Sequence, residues 1–196
     1  MRKKSGKKAS EIFKKQVRDI EEFLGKQNLS TFSDAHISWA HDYAIIRLYR
    51  EFEDMILNCL IAAINGNTQH LSKTTGVNFP KHITDEVCEY IIVGDRFFNF
   101  RGRDGLIKTL KKYLPDNHYL VTIVKKPAYK DALERLTALR NFAAHDSKPS
   151  KKHALQAVGG QRLASSGAWL KTQNRFKNIS ASLMRLANEV QQRAPY

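Results

Sequence analysis

The 196-residue sequence has two cysteines, five prolines and no apolar run longer than six residues, at 59–64. Two cysteines cannot build a disulfide scaffold. Cys59 and Cys88 both sit among apolar neighbours on predicted helices, as buried thiols do in a reducing cytoplasm. A six-residue run is far short of the ~20 apolar residues that cross a bilayer, so no membrane partner is expected. The basic start runs directly into the charged stretch 11–18 without the apolar centre of a signal peptide, which leaves the cytoplasm as the expected location. There is no phosphate-binding glycine loop, no dinucleotide fingerprint and no paired CxxC, so neither a cofactor nor a metal is expected. His36 and His41 stand beside Asp42, but five helical residues turn through about 500°, leaving the two imidazoles about 140° apart.

Acid is scarce where it matters. The chain carries 33 Lys+Arg against 19 Asp+Glu, a formal net charge of +14, and the excess is uneven. Residues 1–9 hold five basic side chains and no acid, yet the first hundred residues sum to +1 and the remainder to +13. Two stretches carry the second-half excess: 101–130, with eight basic residues against two acidic, and 145–196, with nine against two. Residues 131–144, between them, are neutral. A field of this kind favours a polyanion such as RNA. Arg101, Arg103, Lys108, Lys111 and Lys112 in the first stretch, and Lys148, Lys151 and Lys152 in the second, are the candidate RNA-binding residues.

The hydrophobic pattern is helical. Residues 1–9 read as a flexible basic arm, and 10–196 as a single domain. Ser10 is placed to cap a helix through Phe13, Val17, Ile20 and Leu24 that ends near Gly25. A linker over 26–33 leads to a long helix at 34–65, whose stripe is Ile45, Tyr49, Phe52, Ile56, Cys59, Leu60 and Ala63. On its other face the pairs Arg47/Glu51 and Arg50/Asp54 are spaced for surface ion pairs. Residues 66–80 read as a loop. Thr84 caps a short helix stopped by Gly94, and Asp104 caps another over 105–113, closed by Pro115. The β-branched segment 118–124 fits either an extended connector or a lone strand. Pro127 opens a helix through Leu133, Leu136 and Leu139 to about His145. A short helical turn after Ser150 and a glycine-interrupted loop at 159–167 precede a last helix through Phe176, Ile179, Leu183, Leu186 and Val190. The expected fold is all-α: a bundle of four to five main helices with shorter ones and a basic N-terminal arm.

At the end of the helix opened by Pro127 stands Leu139-Arg140-Asn141-Phe142-Ala143-Ala144-His145. Cleaving RNA without a metal needs a group of pKa near neutrality to move a proton and a cation to hold the phosphate charge. Histidine supplies the first, and arginine, with its fork of donors, the second. Asn141, one turn before His145, is placed to steer the imidazole. Ala143 and Ala144 leave room for another chain or a substrate. Arg140 and His145 point about 140° apart on an ideal helix, so a two-fold dimer is the arrangement that gathers two such pairs around one phosphate. The same residues also fit a plainer role, with His145 as a helix C-terminal cap and Arg140 as a surface cation.

The Leu-Arg-Asn-x-x-Ala-His segment on the penultimate long helix of a small all-α chain resembles the HEPN superfamily (higher eukaryotes and prokaryotes nucleotide-binding). The segment Tyr49-Arg50-Glu51-Phe52-Glu53 on the long helix, and Gly102-Arg103-Asp104-Gly105-Leu106 at a helix start, are similar to small bacterial HEPN groups of the RiboL-PSP-associated kind. The resemblance spans 34–194 in helix order, with its specificity in the Arg-x4-His motif. It implies a dimerising four-to-five-helix bundle with the active site at the interface. It further implies metal-independent endoribonuclease activity leaving a 2′,3′-cyclic phosphate, in a toxin–antitoxin or antiviral defence setting with an antitoxin or other regulatory partner. Position by position, Arg140 and His145 match the catalytic pair, and Asn141 matches the polar residue that commonly follows the arginine. Some HEPN toxins carry a modifiable tyrosine two residues after the histidine, where this chain has Ser147. Other HEPN members bind without cleaving, so a non-catalytic nucleic-acid-binding module and a helical interaction protein stand beside the ribonuclease reading.

Overall fold

The computed structural model describes residues 3–28 and 31–195, with Gln27 and Asn28 as backbone alone. Among these residues there are ten α-helices, one 3-10 turn and no strand. No helix among them is long and apolar enough to cross a membrane.

The second helix organises the rest. α1 (Gly6–Asn28) and α2 (Asp34–Gly66) pack along each other, and the 33-residue α2 is about 50 Å long. Ser33 starts α2 by accepting the amide of His36. Ile45, Leu48, Phe52, Ile56 and Leu60 lose all solvent contact along α2, each contributing about 1.5–3 kcal/mol of apolar burial. Phe13 of α1 meets Phe52 edge-on at 5.7 Å between ring centroids. α3 (Gln69–Thr75), α4 (Asp85–Val93) and α5 (Gly102–Lys111) follow as short elements. Then come α6 (Tyr119–Val124), a 3-10 turn at Pro127–Tyr129 and α7 (Lys130–His145). α7 lies on α2 and also meets α5, α8 (Lys148–Ala157) and α9 (Ser166–Leu170). α10 (Arg175–Arg193) closes the bundle against α1, α6 and α7.

Several sequence expectations change. α1 begins at Gly6, so residues 6–9 are helical rather than part of an arm, and the backbone amide of Lys4 is bonded to Asp85 Oδ2 at 2.7 Å. Met1 and Arg2 of the expected arm, Leu29 and Ser30 of the linker, and Tyr196 lie outside the described residues. Ser10 is buried inside α1 and donates to the Gly6 carbonyl instead of capping. Gly25 does not end the helix; a lone glycine costs only about 1 kcal/mol in a helix packed along its length. The 66–80 loop contains α3, whose Leu71 is buried. The 118–124 segment is helical, not extended. His118 Nδ1 accepts the amide of Leu120, and Leu120, Val121, Ile123 and Val124 are all fully buried, which outweighs their β propensity. Burial also pushes the His118 imidazole down to about 4.

Cys59 and Cys88 are unpaired and buried, as expected. Burial raises their thiols to about 12 and about 11, which keeps them protonated and inert.

Candidate active site at the end of the seventh helix

α7 and α2 lie side by side so that Arg140 reaches Tyr49. The guanidinium carbon sits 4.7 Å from the Tyr49 ring centroid, a cation–π stack. One arm of Arg140 donates to Asn141 Oδ1 at 2.9 Å, and Nε is enclosed without a hydrogen-bond partner. Its other terminal nitrogen forms no hydrogen bond among the described residues, so the fork is oriented but unfilled. Asn141 therefore orients the arginine, not the imidazole of His145 as its spacing suggested.

Arg140 borders a cavity of about 1030 Å³. Its walls come from α2 (Ile46, Tyr49, Arg50, Glu53, Asp54, Leu57), α4 (Glu86, Glu89, Tyr90, Val93) and the 94–99 loop. Tyr49 is buried; its hydroxyl donates to the Phe100 carbonyl at 3.1 Å and its ring stacks on Phe100 at 5.2 Å. Burial pushes the Tyr49 phenol well above its ordinary range, so it stays neutral beside the guanidinium. Arg50 and Asp54 line this cavity rather than forming the expected ion pair, whereas Arg47 and Glu51 do pair at 2.7 Å.

Glu53, which the sequence offered only as part of the Tyr49–Glu53 segment and not as a site residue, also lines the Arg140 cavity. Burial raises its carboxyl from 4.5 to about 7, and the Tyr49 hydroxyl and the Arg140 charge only partly pull it back. The folded carboxyl thus keeps its proton up to about pH 7, whereas an unfolded one loses it near 4.5. Between those values the folded state binds more protons, so stability falls as pH rises. Glu53→Gln is expected to flatten that loss; denaturant midpoints at pH 5 and pH 7.5 test it, and an unchanged pH slope in the variant would refute the assignment. The sequence signal was slight: Glu53 stands one turn after Tyr49 of the core stripe, at the edge of the apolar face of α2.

His145 is the last residue of α7, exposed, and does not border the Arg140 cavity. The corner after it is tight. Asp146 takes a left-handed conformation (φ 38°) and returns its amide to the Phe142 carbonyl. Ser147 and Ser150 then cap α8 reciprocally. Ser147 is a helix cap by construction. Within one chain the fold brings Arg140 to the cavity and leaves His145 about 7.5 Å further along the axis, facing solvent.

The candidate RNA-binding residues divide. Lys148, Lys151 and Lys152 are exposed on α8 beside the His145 corner and line a shallow depression; Lys151 Nζ stands 5.8 Å over the Phe142 ring. Lys108 and Lys111 are exposed on α5 and Arg101 and Lys112 at its two ends; none of the four lines the Arg140 cavity, and Lys111 pairs with Asp116 at 3.0 Å.

Arg103 is not a free cation. Its Nε donates to the Val124 carbonyl at 3.1 Å and a terminal nitrogen donates to the Lys125 carbonyl, closing the C-terminal end of α6. The start of α5 is met by Glu134 of α7, whose Oε1 accepts the Arg103 amide at 2.9 Å, and not by Asp104. Gly102 (φ +60°) makes room for that carboxylate; a Cβ there would lie 2.4 Å from Glu134 Oε2. Arg103→Ala is expected to cost about 1.5–3 kcal/mol in urea unfolding, by loss of charge-assisted bonds, and to leave the salt dependence of RNA binding unchanged. A weaker salt slope with unchanged stability would return Arg103 to the binding surface.

Among the described residues no group of three or more His, Cys, Asp or Glu could hold a metal ion. Comparison with protein-family models, with curated proteins and with solved structures returns no match.

Proposed function

We propose that the chain is a metal-independent endoribonuclease of the HEPN kind. The observation that carries this reading is the state of Arg140: stacked on Tyr49, steered by Asn141 and left, among the described residues, with one terminal nitrogen without a hydrogen bond at the edge of a cavity. A guanidinium so held suits the charge that builds on a phosphodiester when a 2′-OH attacks the neighbouring phosphorus. His145 supplies the proton transfer. In the proposed mechanism the imidazole takes the 2′-OH proton or gives one to the departing 5′-oxygen, and the product carries a 2′,3′-cyclic phosphate.

Because His145 is exposed and does not line the Arg140 cavity of its own chain, the reading includes a homodimer in which two α7 ends meet across a two-fold axis. Two imidazoles and two guanidiniums then surround one phosphate, which gives the general acid and the general base an imidazole each. The lysines of α8 stand beside this corner and suit the approach of the RNA backbone. A toxin or antiviral setting, with an antitoxin or other regulatory partner, is part of the same proposal and rests on the HEPN resemblance.

Binding of nucleic acid without cleavage is the second reading, favoured by the position of His145 outside the cavity. RNA incubated with the protein in EDTA separates the two. New ends bearing 2′,3′-cyclic phosphate support the ribonuclease, and salt-sensitive binding with intact RNA supports the binding module.

A further inference from the structure

We propose that the cavity beside Arg140 seats one unpaired nucleobase of the RNA, with guanine preferred over the other three. The ligand class rests on the nucleic-acid reading above; the base preference rests on how charge is divided inside the cavity. Arg140 enters from α7 and Arg96 from the 94–99 loop, the α2 wall carries both signs in Arg50, Glu53 and Asp54, and the α4 wall presents Glu86 and Glu89 and no basic side chain. A ligand that is anionic throughout would be repelled by the α4 wall. A nucleotide whose phosphate faces Arg140 and whose base faces α4 is complementary to both sides.

The aromatic side chains at this cavity support a base rather than a second phosphate. Tyr90 is 71% exposed and Phe97 is 96% exposed, and neither ring packs against another aromatic ring among the described residues. Rings in this condition are platforms on which an unpaired base stacks. The carboxylates then select the edge. Guanine presents an imino N–H and an amino N–H side by side, two donors for one carboxylate. Adenine and cytosine set their amino group next to a ring-nitrogen acceptor, and uracil flanks its one imino N–H with two carbonyls, so each places an acceptor against the carboxylate. Glu89 forms no ion pair or hydrogen bond among the described residues and is free to make this contact.

The test is equilibrium binding by fluorescence anisotropy, in EDTA, of octauridylates carrying one central guanosine, adenosine, cytidine or uridine. The guanosine oligonucleotide is expected to bind about 10-fold more tightly, the scale of one bidentate edge contact. The double variant Glu86→Gln/Glu89→Gln, altered only at exposed side chains, is expected to lose that preference and to bind the four oligonucleotides with equal affinity. Equal affinity of the wild-type protein for the four oligonucleotides, or a preference unchanged in the double variant, overturns the proposal. Cleavage of the same oligonucleotides is read separately: guanosine-selective binding without cleavage keeps the base seat and overturns the ribonuclease reading. Sedimentation of Phe97→Ala covers the remaining occupant. A wild-type dimer that this variant dissociates shows a second copy on the face and overturns the base seat.

Discussion

His145→Ala is expected to lower RNA cleavage by about 10²–10⁴-fold while leaving the fold intact, because the proposed mechanism gives the residue the proton transfer and no structural role. The imidazole is exposed, forms no hydrogen bond among the described residues, and ends a helix whose cap is made by the backbone of Asp146. Removing it should move Tm by no more than about 2 °C. Arg140 is the less clean target. Its truncation also removes the stack on Tyr49, worth about 0.5–2 kcal/mol, so the paired control is Arg140→Lys. Lysine keeps the charge but not the planar fork, and on this account still loses most of the activity. An active His145→Ala protein would place the chemistry elsewhere; an inactive one with a large drop in Tm would make His145 structural.

The largest expected loss of stability comes from a residue with no chemistry. Gly167→Ala would set a Cβ 1.8 Å from the Ser38 carbonyl oxygen and 2.9 Å from the Asp42 amide nitrogen, both backbone atoms of α2. Neither can rotate aside, so α9 must lift from α2. In doing so it strains two bonds: the Gly167 amide to Asp42 Oδ1 at 2.6 Å, and Ser166 Oγ to the Leu139 carbonyl at 2.8 Å. A cost of about 3 kcal/mol, or about 10 °C in Tm, follows from overpacking of this kind. Calorimetry of the variant checks it, and a Tm within about 2 °C of wild type would mean that α9 does not dock this closely. Since Ser166 bonds to α7 only one residue before Arg140, the same variant should also lose cleavage.

These two residues mark what the sequence made legible. His145 stands out in the sequence as a candidate because proton-transfer chemistry restricts residue type, and the structure adds that it is exposed at the end of α7. Gly167 could not: as one of several glycines around 159–167 it read as loop, and only the approach of two backbones explains it. The long α2 and its stripe from Ile45 to Leu60 were legible for the opposite reason, since a 3.6-residue period repeated over many turns leaves little ambiguity. α6 was missed where burial on every side overrode β propensity. Arg103 shows the limit of charge arithmetic. Its place in a basic stretch suggested a phosphate contact, but two carbonyls at the end of α6 claim its donors. Tyr49 and Glu53 were in view as part of a segment resembling HEPN proteins, yet the stack of Arg140 on Tyr49, some ninety positions away, and the place of Glu53 in the same cavity are products of α2–α7 packing. No local pattern encodes such a contact.

The central claim is cleavage of RNA by Arg140 and His145 without a metal. Its most direct test is to incubate the purified protein with total RNA in EDTA and identify the new ends. The account predicts fragments ending in 2′,3′-cyclic phosphate and 5′-hydroxyl, formed by wild type and not by His145→Ala. Cleavage that requires a divalent ion, or ends bearing 5′-phosphate, would contradict it.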